Sequence, residues 1–375
     1  MRNVVRSTDI VVIGAGVIGA AVAFELVRRG ASVTLVDART PGHGATQASG
    51  GMLAPYTEAS EGGPLLALGA RSLQLFRPFA DAVRHESGLD LNYKEAGSLH
   101  LARTEAQLAH FESNRATLAS MDVPAKMLAP ADIRALEPAI AADVLGALHL
   151  PSQAHVSASA LAHALIVAAT RRGATLVEGT RVTRVSREGS TLVAETTTGT
   201  LRTSHVVIAA GAWAGAVPID GVVDRVPVTP IRGQLLHLKF DQMPIARVTW
   251  DERTYLVPWD DGTLLVGATM EDVGFDEHTT ASGVKGLIDA ACRVIPSASA
   301  AHVAATRAGL RPATPDGLPL IGWSSVAPGV MYATGHFRNG VLLAPLTASL
   351  VADAMLDGRI DPALATTSPA RFGAI

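Results

Sequence analysis

Two arginines in the last third of the chain are the residues best suited to chemistry. Arg311 lies in the glycine-bracketed segment 309–319, and Arg338 lies in a second such segment, 333–340. A guanidinium group presents several N–H donors in one plane, so it can hold a carboxylate through two hydrogen bonds. Two arginines on glycine turns therefore predict a site that binds a small carboxylic acid.

The start of the chain carries a pattern typical of dinucleotide binding. Gly14, Gly16 and Gly19 follow a predicted buried parallel strand, residues 9–13, in G-x-G-x-x-G spacing, and helical periodicity extends over 17–29. In this arrangement the first glycine allows a tight turn, the second lets the backbone approach a pyrophosphate, and the third permits close helix–strand packing. The diphosphate is then bound at the positive end of the helix.

An acidic residue completes this pattern. Asp37 ends a second predicted strand, residues 32–36, and lies 18 residues after Gly19. A carboxylate at this position can bind ribose hydroxyls, and it argues against a 2′-phosphate and hence against NADP. A glycine triplet alone also occurs in ordinary tight turns. Here the strand, the helix, the second strand and the acid all agree on a dinucleotide site.

The rest of the chain favours FAD over NAD. Further strands of the nucleotide-binding sheet are predicted at 173–182, 200–210 and 330–335, the last feeding a helix at 341–355. A nucleotide-binding part assembled from the first, middle and last thirds is expected where one extended FAD is enclosed along its length. The sequence contains no second G-x-G-x-x-G that could form a separate NAD domain.

Several motifs together resemble one family. Residues 14–37, 44–55 and 206–213 and the two arginine segments are similar, in collinear order over nearly the whole chain, to the D-amino acid oxidase superfamily. Within it they most resemble the bacterial glycine oxidases of thiamine biosynthesis. The resemblance implies non-covalent FAD and an α/β fold, in which a Rossmann-type FAD-binding domain is interleaved with an antiparallel-sheet substrate domain.

The implied activity is oxidation of a small amino acid. The resemblance implies oxidative deamination of glycine or a small D-amino or N-methyl amino acid by hydride transfer to flavin N5. Molecular oxygen would accept the electrons and give hydrogen peroxide. Two alternatives stay open: a dehydrogenase that passes electrons to a quinone or another carrier, and a non-catalytic flavin-binding protein.

The resemblance also implies roles for individual substrate-site residues. Arg311 and Arg338 match the arginines that bind the substrate carboxylate, with Arg338 the stronger match, and Tyr255 matches a tyrosine of the pocket wall. We assign no general base, because an amino acid with a neutral amine can transfer its α-hydrogen as hydride. Arg253 stands where glycine oxidases can carry a histidine, so it either favours a longer or more acidic substrate or faces solvent.

The glycine motif and the resemblance together assign a larger set of residues to FAD. Val182 would contact adenine through its backbone, and residues 335–341 would lie near the flavin pyrimidine, with His336 in a structural role. The assigned residues are Gly14, Gly16, Val17, Ile18, Gly19, Asp37, Ala38, Arg39, Thr46, Ala48, Ser49, Gly51, Met52, Leu53, Val182, Ala210, Gly211, Trp213, Arg311, Gly335, His336, Phe337, Arg338, Asn339, Gly340 and Val341.

The domain division follows from these assignments. We assign residues 1–86, 151–219 and 306–375 to a discontinuous FAD-binding domain, and residues 87–150 and 220–305 to the substrate domain. The elements predicted in the substrate domain are a strand at 97–103, an amphipathic helix at 104–120, a turn at 230–233, a strand at 234–240, a hairpin around 260–262 and a helix at 284–294. Residues 58–64 form either a lid or an ordinary connector.

Composition excludes several other functions. Hydrophobic residues make up 48% and charged ones 17% of 375 residues, which excludes general disorder. The net charge of −3 and the scattered basic residues do not suit nucleic acid. The one cysteine, Cys292, permits no intramolecular disulfide and is expected to be a buried packing residue. The family resemblance implies that a covalent flavin link would use a cysteine close to the first arginine motif, and Cys292 lies well upstream of it, so covalent flavin is disfavoured.

Metal and membrane sites are not expected either. The histidines are dispersed without the spacing of paired metal ligands, so we predict no metal. No apolar run approaches about 18 residues, and the first residues show no secretory signal, so we expect a cytoplasmic protein that does not cross a membrane. The family resemblance makes a homo-oligomer plausible.

Overall fold

Two large β-sheets organise the chain. The computed structural model describes residues 5–57 and 62–375, and the side chains of all of these except Val5 and Arg6. Residues 58–61, most of the predicted lid or connector, lie outside the described residues. Pro64, the last residue of that segment, is the first residue of a helix.

The first sheet has eight strands and is largely parallel. Its strands are β1 (Val5–Ile13), β2 (Val33–Val36), β8 (Thr175–Val177), β9 (Val182–Glu188), β10 (Thr191–Thr196), β11 (Gly199–Ile208), β17 (Leu320–Trp323) and β18 (Val330–Thr334). Strand order is β17-β18-β11-β1-β2-β8, and β10 joins β9 to β11. All pairs from β18 to β8 are parallel, as a Rossmann-type sheet requires.

Four helices pack together in the nucleotide-binding half. They are α1 (Val17–Arg28), α2 (Pro64–Ser87), α5 (Ala158–Arg171) and α7 (Gly340–Leu356). Helix α1 packs against α5 and α7 and is buried over nearly its whole length, and α2 covers α5 and α7. These helices and the strands beside them form one hydrophobic core. The central position of α1 explains why every residue of 17–27 except Glu25 is apolar.

The second sheet is antiparallel except for one pair. In spatial order its strands are β16 (His302–Ala313), β12 (Thr229–Lys239), β15 (Thr263–Gly267), β14 (Thr254–Pro258), β13 (Val248–Asp251), β4 (Ser98–Ala102), β6 (Gly146–Leu150) and β5 (Lys126–Leu128). Only β13 and β4 pair in parallel. The remaining elements are β3 (Met52–Leu53), β7 (Ala154–His155), α3 (Glu105–Ala119), α4 (Pro130–Leu136), α6 (Ala281–Val294) and α8 (Ala363–Thr367). The prediction of an α/β fold with these two kinds of sheet is confirmed.

Three local predictions are wrong. Residues 230–233 form no turn, because β12 runs through them and pairs with β16 along its length. The helix predicted at 104–120 exists as α3, but Leu118 is its one buried residue, so α3 is not amphipathic. Its start is fixed instead by the capping box of Thr104 and Gln107. Cys292 on α6 is only half-buried, and it packs against the hydrophobic core of the second sheet from its edge.

Strand β16 also affects the domain division. Our division assigns residues 306–375 to the FAD-binding domain, whereas β16 belongs to the second sheet through Ala313. The reason is that β16 pairs with β12 along its length, which keeps the chain in the second sheet until the turn after Ala313. The chain re-enters the first sheet at β17.

Glycines in the β1–α1 turn allow an unusually close packing of the backbone. Gly14 has φ +105°, which favours glycine. A Cβ at Gly19 would lie 1.8 Å from the carbonyl oxygen of Gly14. The third glycine of the motif is therefore required by the packing of α1 against its own turn, as expected from the sequence.

We expect Gly19→Ala to destabilise the protein by about 1–3 kcal/mol, because overpacking at this point has to displace backbone. The measurement is the free energy of unfolding, compared with that of Gly286→Ala. Gly286 is an exposed glycine of α6 with no atom within 4 Å of its Cβ position, so that variant should not be destabilised. Equal stabilities of the two variants would contradict this account of the turn.

Candidate functional site

A cavity of about 630 Å³ lies between the two sheets. One end is lined by the turn between β1 and α1, and the other by the hairpin of β13 and β14. Residues of β15, β16 and the start of α7 also contribute to its wall. Loops and the ends of strands and helices from distant parts of the sequence therefore meet around one cavity.

The N-terminus of α1 forms one wall of the cavity. Thr46 Oγ1 accepts a hydrogen bond from the Val17 amide at 3.0 Å, which fixes the loop after β2 against the helix. The Cβ position of Gly16 faces no atom within 4 Å except Thr46 Oγ1, so its backbone is open to the cavity. Free amides and the helix dipole make this a suitable place for a diphosphate.

Asp37 is held rigidly at the end of β2. Its Oδ2 accepts from the Ala15 amide at 2.7 Å and its Oδ1 from the Arg39 amide at 2.8 Å. Each carboxylate oxygen has a further lone pair, so Asp37 can still accept a hydrogen bond from a ribose hydroxyl. The residues present therefore fit a dinucleotide such as FAD.

Aromatic and charged side chains cover the same part of the cavity. The Arg39 guanidinium lies 4.1 Å from the centroid of a Trp213 ring, and its Nη1 is 2.7 Å from Glu277 Oε2. Trp213 also contacts Phe275, with ring centroids 5.7 Å apart. Sequence reasoning missed Phe275 and Glu277, because they lie in the connection between β15 and α6, which carries no motif.

Most of the residues assigned to the cofactor line this cavity. They are Gly14, Gly16, Val17, Ile18, Asp37, Ala38, Arg39, Thr46, Ala48, Ser49, Gly51, Met52, Val182, Ala210, Gly211, Trp213, Arg311, His336, Phe337, Arg338, Asn339, Gly340 and Val341. Three others lie behind the wall. Gly19 packs on Gly14, Leu53 is fully buried in the core, and Gly335 forms the turn before His336 against Thr314.

The Tyr255 phenol and the Arg311 guanidinium lie beside each other in the cavity wall and interact electrostatically. Arg311 Nη1 also donates to the carbonyl oxygens of Thr269 at 3.0 Å and Arg232 at 3.4 Å. Burial raises the pKa of the Tyr255 phenol, which therefore remains protonated at neutral pH. Burial also lowers the pKa of Arg311, and the positive charge of Arg338 adds to this effect. A carboxylate between the two guanidinium groups would relieve that repulsion.

Arg338 is presented by a tight turn before α7. Phe337 has φ +47°, a left-handed conformation, and its amide donates to the Pro312 carbonyl at 2.8 Å. The Arg338 guanidinium lies 5.3 Å from the Phe337 ring centroid. This turn is strained for a phenylalanine, and it holds the segment after β18 against the end of β16.

His336 anchors the same turn from behind. Its ring is buried, and Nε2 lies 3.0 Å from Thr347 Oγ1 on α7. Burial lowers the pKa of His336 to about 3, so the imidazole is neutral at physiological pH. This arrangement agrees with a structural role and offers no positive charge to a ligand.

The wall around Tyr255 contains an aromatic residue that sequence reasoning also missed. Trp250 lies opposite Tyr255 in the β13–β14 pairing, with ring centroids 5.1 Å apart. On its other side Trp250 stacks on His100 at 5.7 Å. The hairpin pattern that places Tyr255 could have revealed Trp250 as its cross-strand partner. Arg253 lies in the turn of that hairpin, lines the cavity and is exposed.

The described residues contain neither a metal-binding cluster nor a membrane-spanning helix. Within 5–57 and 62–375, no group of His, Cys, Asp and Glu side chains is placed to hold a metal ion. None of the helices in these ranges combines the length and apolar character needed to cross a membrane.

Comparisons with known proteins agree with this geometry. The sequence profile of the family described as FAD dependent oxidoreductase matches residues 9–354. The chain is 36% identical over 348 residues to glycine oxidase of Geobacillus kaustophilus, with 92% of each chain covered. It is 38% identical over 362 residues to the bifunctional protein ThiO/ThiG of Nostoc sp., covering 95% of this chain and 54% of that protein. It therefore spans about half the length of that relative.

Solved structures show the same fold. The crystal structure of glycine oxidase from Geobacillus kaustophilus matches with a TM-score of 0.92 and 35% identity, over 97% of this chain and 99% of that chain. Iminodiacetate oxidase from Chelativorans sp. BNC1 matches with a TM-score of 0.89 and 26% identity, over 96% and 98% of the respective chains. The chain belongs to the FAD dependent oxidoreductase family.

Proposed function

We propose that this protein is an FAD-dependent oxidase of glycine or another small D-amino or N-methyl amino acid. The products would be an imino acid, which water hydrolyses to an oxo acid and ammonia or an amine, and hydrogen peroxide from oxygen. The observation that carries this proposal is the meeting of Arg311, Arg338 and Tyr255 in the cavity that the β1–α1 turn also lines. The identity to glycine oxidases supports it.

The side chains would act by binding and orientation. Arg311 and Arg338 supply the positive charge for a carboxylate, and the protonated Tyr255 hydroxyl supplies a further donor. Bound FAD would supply the two-electron acceptor. Holding the substrate in one orientation converts the reaction into an effectively intramolecular one, which lowers its barrier without a general base.

Arg253 is the residue of the cavity wall that bears on substrate length and charge. Arg253 in the exposed hairpin turn lies at the cavity wall, so its charge would matter most for a substrate with a second anionic group. A role in thiamine biosynthesis, implied by the family resemblance, is supported by the identity to the bifunctional protein ThiO/ThiG. A homo-oligomeric state and a cytoplasmic location stay predictions.

The test is an anaerobic visible spectrum of the purified protein before and after adding glycine, sarcosine, D-alanine or D-proline. We expect the flavin bands to bleach with at least one of them and to return with peroxide when air is admitted. Bleaching without reoxidation by air would indicate a dehydrogenase that uses another acceptor. A yellow protein that no amino acid bleaches would contradict the proposed substrate class.

We expect Arg338→Ala to lower kcat/KM by roughly tenfold to a few hundredfold, because a charge-assisted hydrogen bond contributes about 1.5–3 kcal/mol. FAD content should be unchanged. The matched control is Arg115→Ala, which removes an exposed arginine of α3 paired with Glu112 and should leave kcat/KM unaltered. An Arg338→Ala enzyme with normal kcat/KM would refute the carboxylate assignment.

His336 should make folding stability depend on pH. Its pKa is about 3 in the folded protein and near 6.5 in the unfolded chain, so the unfolded state binds the proton more strongly. Stability from this group is present above pH 6.5 and is lost as the pH falls towards 3. Between pH 7 and 5 we expect the wild type to lose about 2 kcal/mol more unfolding free energy than His336→Gln. Parallel stability curves measured by urea unfolding would rule this out.

A further inference from the structure

We propose that Gly267 and Gly233 form a recess in the second sheet that positions Tyr255 against Arg311, and that both glycines are therefore positioning residues of the substrate site. This inference rests on the proposed function, because the recess affects catalysis only if a substrate binds beside Tyr255 and Arg311. The recess itself follows from strand register and from the space around the two glycines.

Gly267 provides the space in which the Tyr255 ring lies. The two residues are directly opposite in the pairing of β14 with β15, so their side-chain positions share one face of the sheet. A Cβ at Gly267 would lie 2.3 Å from Tyr255 Cζ and 2.4 Å from its hydroxyl oxygen. Trp250 on β13 packs against the other side of the tyrosine. The phenol is thus directed across the glycine, away from Trp250.

Gly233 provides the corresponding space for Arg311. In the pairing of β12 with β16, Gly233 is opposite Gly309, so Arg311 is its diagonal neighbour on the same face. A Cβ at Gly233 would lie 2.3 Å from Arg311 Nη2 and 2.4 Å from both Cζ and Nη1. The guanidinium therefore lies flat over the Gly233 backbone, where the carbonyl of Thr269 fixes Nη1.

A left-handed φ does not account for either glycine. Gly14 and Gly51 have φ of +105° and +64°, whereas Gly233 on β12 and Gly267 at the end of β15 have no left-handed φ. Both are buried, in positions where strands disfavour glycine and normally carry a side chain that packs. The Tyr255 and Arg311 side chains instead occupy the space that a Cβ at these positions would need.

The loop after β2 closes the recess from the cofactor side. A Cβ at Gly50 would lie 2.8 Å from Tyr255 Cε2, so the ring is confined between Gly50 and Gly267. A methyl group at Gly267 would force the phenol to move by roughly 1 Å to reach normal contact distance. A displacement of that size at a site that binds and orients a substrate can reduce kcat/KM by about a hundredfold.

The experiment uses Gly267→Ala holoenzyme and two readouts. The first is the Kd of acetate, a carboxylate without the reactive amine, from the change that it causes in flavin absorption. The second is KM and kcat for the best amino acid. We expect the acetate Kd and the KM to rise about tenfold to a hundredfold with FAD retained, and KM to change more than kcat. Gly286→Ala on α6 is the control and should leave both values unchanged.

A double-mutant cycle separates positioning from general damage. In a Tyr255→Ala background the atoms that a Cβ at Gly267 would strike are gone, so adding Gly267→Ala should not raise the acetate Kd further. An equal rise in both backgrounds would overturn the proposal, as would an unchanged Kd in the single variant. If Gly267→Ala does not fold, Gly233→Ala with and without Arg311→Ala provides the same cycle.

These experiments can refute the proposed function and the proposed recess independently of each other. A wild type that binds acetate but is reduced by no amino acid would refute the oxidase function, and the acetate titrations would still decide the recess. A wild type whose flavin spectrum does not respond to acetate, and whose KM is unchanged by Gly267→Ala, would overturn the recess.

Discussion

The buried positive charge of Arg311 is the constraint on which the site depends. A guanidinium removed from water is costly unless its donors are satisfied. Here two backbone carbonyls accept its hydrogen bonds, that of Arg232 on β12 and that of Thr269 just after β15. The positive charge of Arg338 nearby lowers the pKa of Arg311 further, so a bound carboxylate would be favoured electrostatically here.

The interleaved topology brings the two arginines together from different sheets. Arg311 lies on β16, in the second sheet, whereas Arg338 follows β18, in the first sheet. The chain crosses from the second sheet to the first in residues 314–319, between β16 and β17. Because Phe337 donates its amide to Pro312 next to Arg311, this crossing is locked by a backbone hydrogen bond at the site itself. The geometry of the substrate site is therefore set by how the two halves of the molecule join.

Prediction from the sequence succeeds best where a feature depends on a few residues that lie close together in the chain. The β1–α1 turn, Asp37 and the two arginine turns depend on glycines and charges close in sequence, and the structure places them around one cavity. Residues 230–233 are wrongly predicted to form a turn, because proline and glycine are typical of turns. Pairing with β16 outweighs that preference and keeps them in β12. Phe275 and Glu277 could not be predicted, since their place against Trp213 and Arg39 depends on tertiary packing of a connection without periodicity.

The contact between Arg39 and Glu277 has a consequence for how the protein matures during synthesis. It joins the loop after the second strand to a residue more than two hundred positions later, and Arg338 to Val341 complete the same cavity wall later still. A nascent chain in which only the glycine motif has been made contains the diphosphate-binding turn. It still lacks Glu277 and residues 338–341, which complete the cavity wall. A cofactor enclosed by both parts of the chain would therefore be fully covered only after α7 has been made and folded.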